Sequence, residues 1–189
     1  VPGGAGAAAA APPFLFKATG YDRVKNGDFC FPLGRGRIQA ENTERMLSMD
    51  YVTLNNGVQM PQLGYGVYQV KNEECERCVL DAISVGYRSI DTAQSYGNED
   101  AVGSAIAKCG VPRDQLFLTT KVWISNAGYE KAKASIDKSL KNLQTDYIDL
   151  LLIHQPFGDY YGTYRAMEEA YKDGKLRAIG VSNFYPDRL

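Results

Sequence analysis

Four side chains that can hold or transfer a proton lie at or just beyond the ends of predicted strands. Asp91 and Tyr96 follow one strand, Lys121 ends the next, and His154, the only histidine in the chain, follows another. A tyrosine with a pKa of about 10 is a poor acid, but a nearby ammonium favours its ionised form and a carboxylate can hold that ammonium. With a histidine to orient a substrate oxygen, this set suits protonation of a developing alkoxide.

Each of these side chains also has a structural interpretation. A single aspartate at a strand end most often caps the next helix, and a single lysine is usually solvated. A single histidine is more often a hydrogen-bonded structural residue than a catalyst. The four residues nevertheless follow three successive predicted strands and reach the same predicted edge. That convergence favours the catalytic interpretation.

A hairpin is predicted at the start of the regular part of the chain. Val52–Leu54 and Val58–Met60 are separated by Asn55-Asn56-Gly57, and the Asn-Gly pair is expected to supply the positive φ angles of a tight turn. Strands and amphipathic helices then alternate, and Asn98 is expected to cap the second helix. The five predicted strands are Leu63–Tyr68, Tyr87–Ile90, Leu116–Val122, Tyr147–Ile153 and Ala178–Val181.

This alternation predicts an α/β fold with a parallel sheet and right-handed crossovers. Both an open doubly wound sheet and a (β/α) barrel fit. A nucleotide-binding open sheet would place a glycine-rich loop after its first strand, but the chain there reads Gly66-Val67-Tyr68-Gln69-Val70. A barrel is therefore favoured, and in a barrel the chemistry lies at the C-terminal ends of the strands.

Composition narrows the class of protein further. Of the 189 residues 44% are hydrophobic, and 21 Lys+Arg face 22 Asp+Glu, so neither nucleic acid nor a membrane surface is expected as a partner. Residues 1–50 begin with a low-complexity run and are expected to be a weakly ordered extension, with residues 51–189 forming the barrel part. The four cysteines do not form a disulfide scaffold, which predicts reduced thiols in a cytoplasmic protein.

Five segments carry a resemblance to a known family. In order along the chain they read LGYGVY, GYRSIDTAQSYGNE, LFLTTKVW, LQTDYIDLLLIH and GKLRAIGVSNF. In order and spacing they resemble the aldo-keto reductases, especially the microbial branch that includes glyoxal and diketogluconate reductases. The resemblance implies about five strands of an eight-stranded (β/α)8 TIM barrel behind an N-terminal hairpin plug. It also implies NADPH-dependent reduction of aldehydes or ketones.

The resemblance also implies a role for each matching residue. Tyr96 matches the general acid, Lys121 and Asp91 match the pair that tunes it, and His154 matches the residue that steers the substrate carbonyl. Further matches imply that Asp91 also approaches the cofactor ribose, that Ser182 and Asn183 grip the nicotinamide carboxamide, and that Tyr68 and Trp123 form aromatic walls of the substrate pocket.

Two departures from the family pattern affect these expectations. Many relatives read His-Trp-Pro after the fourth strand, whereas this chain reads His154-Gln155-Pro156, so one side of the pocket is expected to be more open. A whole barrel takes about 250 residues. The remaining part of the family's cofactor site is therefore expected beyond Leu189, and weak cofactor binding is expected from this chain alone.

Two functions other than that of a reductase can be compared with the same sequence features. A catalytically silent, reductase-like binding or regulatory protein is the alternative, favoured by the length and opposed by the full set of proton-transfer residues. A metal-dependent hydrolase does not fit, because one histidine cannot supply the ligands. Cys75 and Cys78 resemble half a metal site, but their helical spacing favours core packing.

Overall fold

The computed structural model describes residues 49–189. The extension predicted over residues 1–50 lies almost wholly outside the described residues, and its boundary with the barrel part stays a prediction. Cys30 also lies outside them. The predicted hairpin, strands and helices all lie inside the described range.

The described chain opens with the predicted antiparallel hairpin. Strand β1 (Tyr51–Thr53) pairs with β2 (Gln59–Pro61). The expectation that Asn and Gly both supply positive φ angles was wrong for Asn56, because within the turn only Gly57, at φ 85°, is left-handed. Asn56 contributes its side chain instead: its Nδ2 donates to the Arg177 carbonyl at 2.8 Å. That bond fastens the hairpin to the chain just before the last strand.

Five parallel strands form one sheet: β3 (Gly64–Gly66), β4 (Ser89–Asp91), β5 (Phe117–Val122), β6 (Leu150–Ile153) and β7 (Ile179–Val181). Their spatial order follows their sequence order, and each neighbouring pair is parallel. A doubly wound sheet reverses direction at a switch point, whereas a barrel adds each strand to the same side. The structure confirms the prediction of five strands of a (β/α)8 barrel.

Helices connect the strands as predicted, with bounds within about two residues of those expected. They are α1 (Asn72–Ser84), α2 (Glu99–Lys108), α3 (Tyr129–Asn142) and α4 (Tyr160–Lys172). Gly103 allows α2 to approach the end of α3, because a Cβ there would come 2.3 Å from the Asn142 carbonyl oxygen. After β7 the chain forms one turn of 3₁₀ helix, Pro186–Arg188.

The fourth strand of the sheet starts later than predicted, at Leu150 rather than Tyr147. The regular ladder with β5 begins where Thr119 pairs with Leu150. One step earlier, the Leu118 N–H donates to the Asp149 carboxylate at 2.9 Å. A side chain thus takes the place of a backbone acceptor and ends the ladder there.

Alternation along β5 decides which side chains face the barrel interior. Leu118 and Val122 pack in the cluster shared with the helices, whereas Phe117 packs inside with Leu150, Leu152 and the hairpin residue Leu54, among others. Since successive side chains of a strand point to opposite faces, Lys121 shares the interior face with Phe117. Lys121 lies four positions nearer the C-terminal end, where the barrel chemistry is expected.

Candidate active site

A buried ion pair forms the base of the candidate site. Lys121 on β5 is 7% exposed, and its Nζ donates to Asp91 Oδ1 on β4 at 2.6 Å and to the Thr92 carbonyl at 2.9 Å. Burial raises the pKa of the Asp91 carboxyl, and the Lys121 charge opposes that rise. The strand pairing therefore holds an ammonium in place at the C-terminal edge of the sheet.

Tyr96 lies above this pair on a single turn of 3₁₀ helix, Gln94–Tyr96. Gly97, at φ 70°, ends the turn in a left-handed conformation that suits glycine. Lys121 Nζ lies 5.2 Å from the centroid of the half-buried Tyr96 ring. The structure therefore brings the predicted phenol, ammonium and carboxylate together.

His154 follows β6 and completes the predicted group. Its backbone N–H donates to the Val122 carbonyl at 3.1 Å, which sets it level with the end of β5. Its ring meets the Tyr96 ring edge to face, with centroids 5.8 Å apart. Burial, and secondarily the charge of Lys121, lowers the pKa of His154 to about 4. The imidazole is therefore neutral near pH 7, with one N–H donor and one acceptor nitrogen.

The two predicted aromatic walls extend this arrangement into a row of four rings. Tyr68 lies 5.0 Å from Tyr96, and Trp123 lies 5.0 Å from His154, measured between ring centroids. The first predicted strand was expected to end at Tyr68, but β3 ends at Gly66 and Tyr68 lies in the loop, 65% exposed. In the order Tyr68, Tyr96, His154 and Trp123, the walls flank the two central rings.

Ser182 and Asn183 follow β7 and lie beside His154. The Ser182 N–H donates to the Ile153 carbonyl at 2.8 Å. Asn183, at φ 62°, donates through Nδ2 to the His154 carbonyl at 2.8 Å and to Ser182 Oγ at 3.1 Å. A hydroxyl and a side-chain amide oxygen are thus placed at the same rim, and they match a carboxamide, which both donates and accepts.

Asn98 has a different task from the predicted one. It occupies the N-cap position of α2, but its side chain makes no capping hydrogen bond. The Nδ2 donates to the carbonyls of Val67 and Val70 at 3.0 and 3.1 Å, and Oδ1 accepts from Thr92 Oγ1 at 2.8 Å. Those carbonyls flank Tyr68, so this fully buried side chain fastens the Tyr68 loop to the segment after β4.

Sequence reasoning missed Gln94 altogether. It lies two residues before Tyr96 and hydrogen-bonds to groups of the Trp123 loop and of α3. Nothing in the local sequence indicates partners 29–45 positions away. The only signal was a polar residue of good hydrogen-bonding capacity inside the segment that carries the predicted acid.

The cysteines within the described residues behave as packing residues. Cys75, Cys78 and Cys109 are free thiols, and no group of potential metal ligands is found in residues 49–189. Cys75 on α1 is fully buried, and burial raises its pKa to about 11, so it stays protonated at neutral pH. None of the described helices has the length and apolar character needed to cross a bilayer.

Comparison with known proteins agrees with this geometry. The sequence model of the Aldo/keto reductase family matches residues 57–189. A glyoxal reductase of Bacillus subtilis is 56% identical over 142 residues, which cover 74% of this chain and 51% of that protein. A morphine 6-dehydrogenase of Pseudomonas putida is 48% identical over 141 residues, covering 73% and 48% respectively. The chain spans about half the length of the curated relatives it matches.

Solved structures give the same result for the fold. An aldo/keto reductase from Brucella melitensis superposes with a TM-score of 0.74 at 47% identity, covering 75% of this chain and 57% of that one. An aldo-keto reductase of Bombyx mori, solved in complex with NADP, gives a TM-score of 0.71 at 36% identity and covers 74% and 52%. The described sheet therefore corresponds to part of a barrel of this kind.

Proposed function

The chain belongs to the aldo/keto reductase family, and from that membership we propose that it is an NADPH-dependent oxidoreductase that reduces aldehydes or ketones to alcohols. The observation that carries the proposal is the placement of Lys121 Nζ, which lies 2.6 Å from Asp91 Oδ1 and 5.2 Å from the Tyr96 ring centroid. A phenol beside a fixed ammonium at a strand edge suits proton transfer to a carbonyl oxygen. We also place the protein in the cytoplasm, as its free thiols suggest.

Tyr96 acts as the general acid in this proposal. Its phenolic proton goes to the substrate oxygen as negative charge develops there, which leaves a phenolate. The Lys121 ammonium stabilises that phenolate, because an opposite charge nearby favours the ionised form. Asp91 holds the ammonium in position and balances its charge within a buried environment.

His154 orients the substrate. Its low pKa keeps the ring neutral at physiological pH, so it donates one hydrogen bond to the carbonyl oxygen without adding a second positive charge beside Lys121. Ser95 Oγ lies 3.4 Å from His154 Nδ1. Donation from that hydroxyl favours the tautomer with the proton on Nε2.

The residues present fit a nicotinamide cofactor. Ser182 and Asn183 would hold the carboxamide, and Asp91 would approach a ribose hydroxyl. NADPH, when bound, supplies the hydride that the carbonyl carbon receives. Support for the cofactor comes from the relative of Bombyx mori, which was solved with NADP.

Tyr68 and Trp123 bound the substrate space on either side of the two central rings. Since many relatives have a tryptophan where this chain has Gln155, we propose a pocket that is more open and more polar on that side and admits polar carbonyl compounds. The name of the glyoxal reductase relative supports the same class of substrate.

The proposal is tested by Tyr96→Phe in the 189-residue chain, with Tyr171→Phe as the matched control on the exposed side of α4. NADPH oxidation is followed with glyoxal, and cofactor binding is followed by quenching of Trp123 fluorescence. We expect Tyr96→Phe to lower kcat by about 10²–10⁴-fold with NADPH binding unchanged, and the control to match the wild type.

Two outcomes contradict the proposal. Full turnover in Tyr96→Phe removes the tyrosine from the role of acid. A folded wild-type chain that binds NADPH but reduces neither aldehydes nor ketones favours the alternative, a reductase-like binding protein without catalysis.

A further inference from the structure

Gln94 makes hydrogen bonds that join three separate elements near the candidate site. Its Oε1 accepts from the Trp123 backbone N–H at 2.9 Å and from Asn126 Nδ2 at 2.8 Å. Its Nε2 donates to the Ser135 carbonyl at 3.3 Å and to Ser139 Oγ at 3.1 Å. A glutamine side chain offers two donor hydrogens and two acceptor lone pairs, so these four contacts use its full capacity.

The orientation of the Gln94 amide follows from its partners. The Trp123 backbone N–H can only donate, so the atom that faces it must be the oxygen of Gln94. The nitrogen is then directed at Ser135 and Ser139, which lie one turn apart on the same face of α3. Both serines are buried, with 7% and 0% exposure, so the contacts are protected from competing water.

Hydrogen bonds to Gln94 help to hold the Trp123 loop. The loop is a short 3₁₀ turn, Ile124–Asn126, closed by the Asn126 N–H donating to the Trp123 carbonyl at 2.9 Å. Behind it lies a cleft of about 350 Å³ lined mainly by polar side chains, among them Asp100 and Lys138. On the side of this cleft the loop has few apolar neighbours, and the two bonds to Gln94 Oε1 fix it there.

The Gln94 contacts also connect Trp123 to Tyr96. Gln94 and Tyr96 share one 3₁₀ turn, and the His154 ring lies between the Tyr96 and Trp123 rings at 5.8 and 5.0 Å. The Gln94 side chain therefore links the segment of the proposed acid directly to the Trp123 wall.

We propose that Gln94 is a positioning residue that fixes the Trp123 wall relative to Tyr96 and so determines how well substrates that press against Trp123 are accepted. Its effect on substrates rests on the proposed reductase function. Its effect on Trp123 does not, because Trp123 is the only tryptophan in the chain and its fluorescence reports the wall directly.

The first measurement needs no turnover. Emission wavelength and acrylamide quenching of Trp123 are compared in the wild type, Gln94→Met and Gln94→Glu. Met removes all four hydrogen bonds at similar length, and we expect a red-shifted emission and stronger quenching. Glu keeps an oxygen for the Trp123 N–H but loses the donors to α3, so its values should lie between the other two.

Gln115→Met is the matched control, since this exposed residue lies at the opposite end of β5. It should leave Trp123 emission unchanged. Circular dichroism establishes that each variant is folded, and Gln94→Glu keeps the comparison decisive if Gln94→Met does not fold. Unchanged Trp123 emission and quenching in a folded Gln94 variant overturns the proposal.

The second measurement tests specificity. For Gln94→Met we expect kcat/KM for a bulky aromatic aldehyde to fall by about tenfold relative to that for glyoxal, through KM rather than kcat. Equal losses for both aldehydes contradict a role in specificity. Absence of turnover in the wild type contradicts the proposed function, while the fluorescence result still decides the place of Gln94.

Discussion

Asp149 and Asp91 lie at opposite ends of the sheet and differ in the number of cations that pair with them. Asp149, near the N-terminal end, is fully buried and accepts from Arg113 Nη2 at 2.8 Å and Arg177 Nη1 at 2.7 Å, as well as from a backbone N–H. Asp91, at the C-terminal end, accepts from the single ammonium of Lys121 at 2.6 Å, and its side chain is 18% exposed.

The cations that pair with these two carboxylates, Arg113 and Lys121, also differ in how many other contacts they make. Arg113 also bonds Thr145 Oγ1 and the carbonyls of Leu116 and Tyr147, and its guanidinium lies 4.1 Å from the Tyr147 ring centroid. These contacts occupy the planar guanidinium of Arg113 and stabilise the fold. The compact ammonium of Lys121 lies 5.2 Å from the Tyr96 ring centroid, which is farther than the Arg113 guanidinium lies from the Tyr147 ring. The comparison indicates that ion pairing fixes the strands at one end of the sheet, and we propose that the charge of Lys121 at the other end serves catalysis.

Replacement of Asp149 should give the largest effect. Asp149→Asn leaves two guanidinium groups without a counter-charge, and we expect unfolding in urea to require about 3 kcal/mol less free energy. That value is at the low end for buried pairs, because the Arg177 side chain is 43% exposed and can turn to water. Asp146→Asn, three positions earlier in the chain and exposed, serves as control. A loss equal to that of the control would make the two ends equivalent.

Replacement of Lys121 should affect turnover rather than folding. In Lys121→Met we expect kcat to fall by about 10²-fold or more, because the phenolate of Tyr96 loses its stabilising charge. Stability should fall less than in Asp149→Asn, since the Asp91 side chain is 18% exposed and loses one cation, whereas fully buried Asp149 holds two. Lys175→Met, which breaks an exposed pair with Asp137 at the same 2.6 Å, is the control. A strongly destabilised Lys121→Met with normal kcat in its folded fraction would assign the pair to the fold.

Replacement of Asn98 tests how much its hydrogen bonds stabilise the loops at the C-terminal end of the sheet. Asn98→Ala removes the donor to the Val70 carbonyl and leaves the Val67 carbonyl with the Val70 N–H, and we expect a loss of about 1–3 kcal/mol in unfolding free energy. The substitution should also loosen the Tyr68 loop and thereby raise KM for substrate. Asn72→Ala, which removes an exposed bond to Asp100 at 3.3 Å, should do neither. A stability change without any change in KM would separate Asn98 from the site.

Near neutral pH the smallest effect should come from His154, because its protonation alters stability only below about pH 6.5. His154 has a folded pKa of about 4 against an ordinary 6.5, so between these values the unfolded chain binds more protons than the folded chain. The contribution of His154 to stability is therefore present above pH 6.5 and is lost as the pH falls toward 4. Urea unfolding of the wild type and His154→Gln across this range should show their difference change with pH. A constant difference would mean that His154 is not held neutral.

The sequence predicted which residues of the candidate site lie together, but not the side chains that support them. Asp91, Lys121 and His154 could be placed because parallel strands bring their C-terminal ends to one edge, and the structure does bring them together. The supports depend on distant partners: Asn98 was taken for a helix cap, and Gln94 was missed. Asp149 lay within a predicted strand, where its side chain instead replaces a backbone acceptor. Polar side chains of this kind fit many partners, and only the folded chain selects among them.

The central claim is that Tyr96 and Lys121 act as one unit in proton transfer. It is tested most directly by kcat for glyoxal reduction in Tyr96→Phe, in Lys121→Met and in the double variant, each folded and saturated with NADPH. Residues that act as a unit show strongly non-additive losses. The account predicts that the double variant is no slower than the slower single variant. If the two single losses multiply in the double variant, Tyr96 and Lys121 act independently and the account is contradicted.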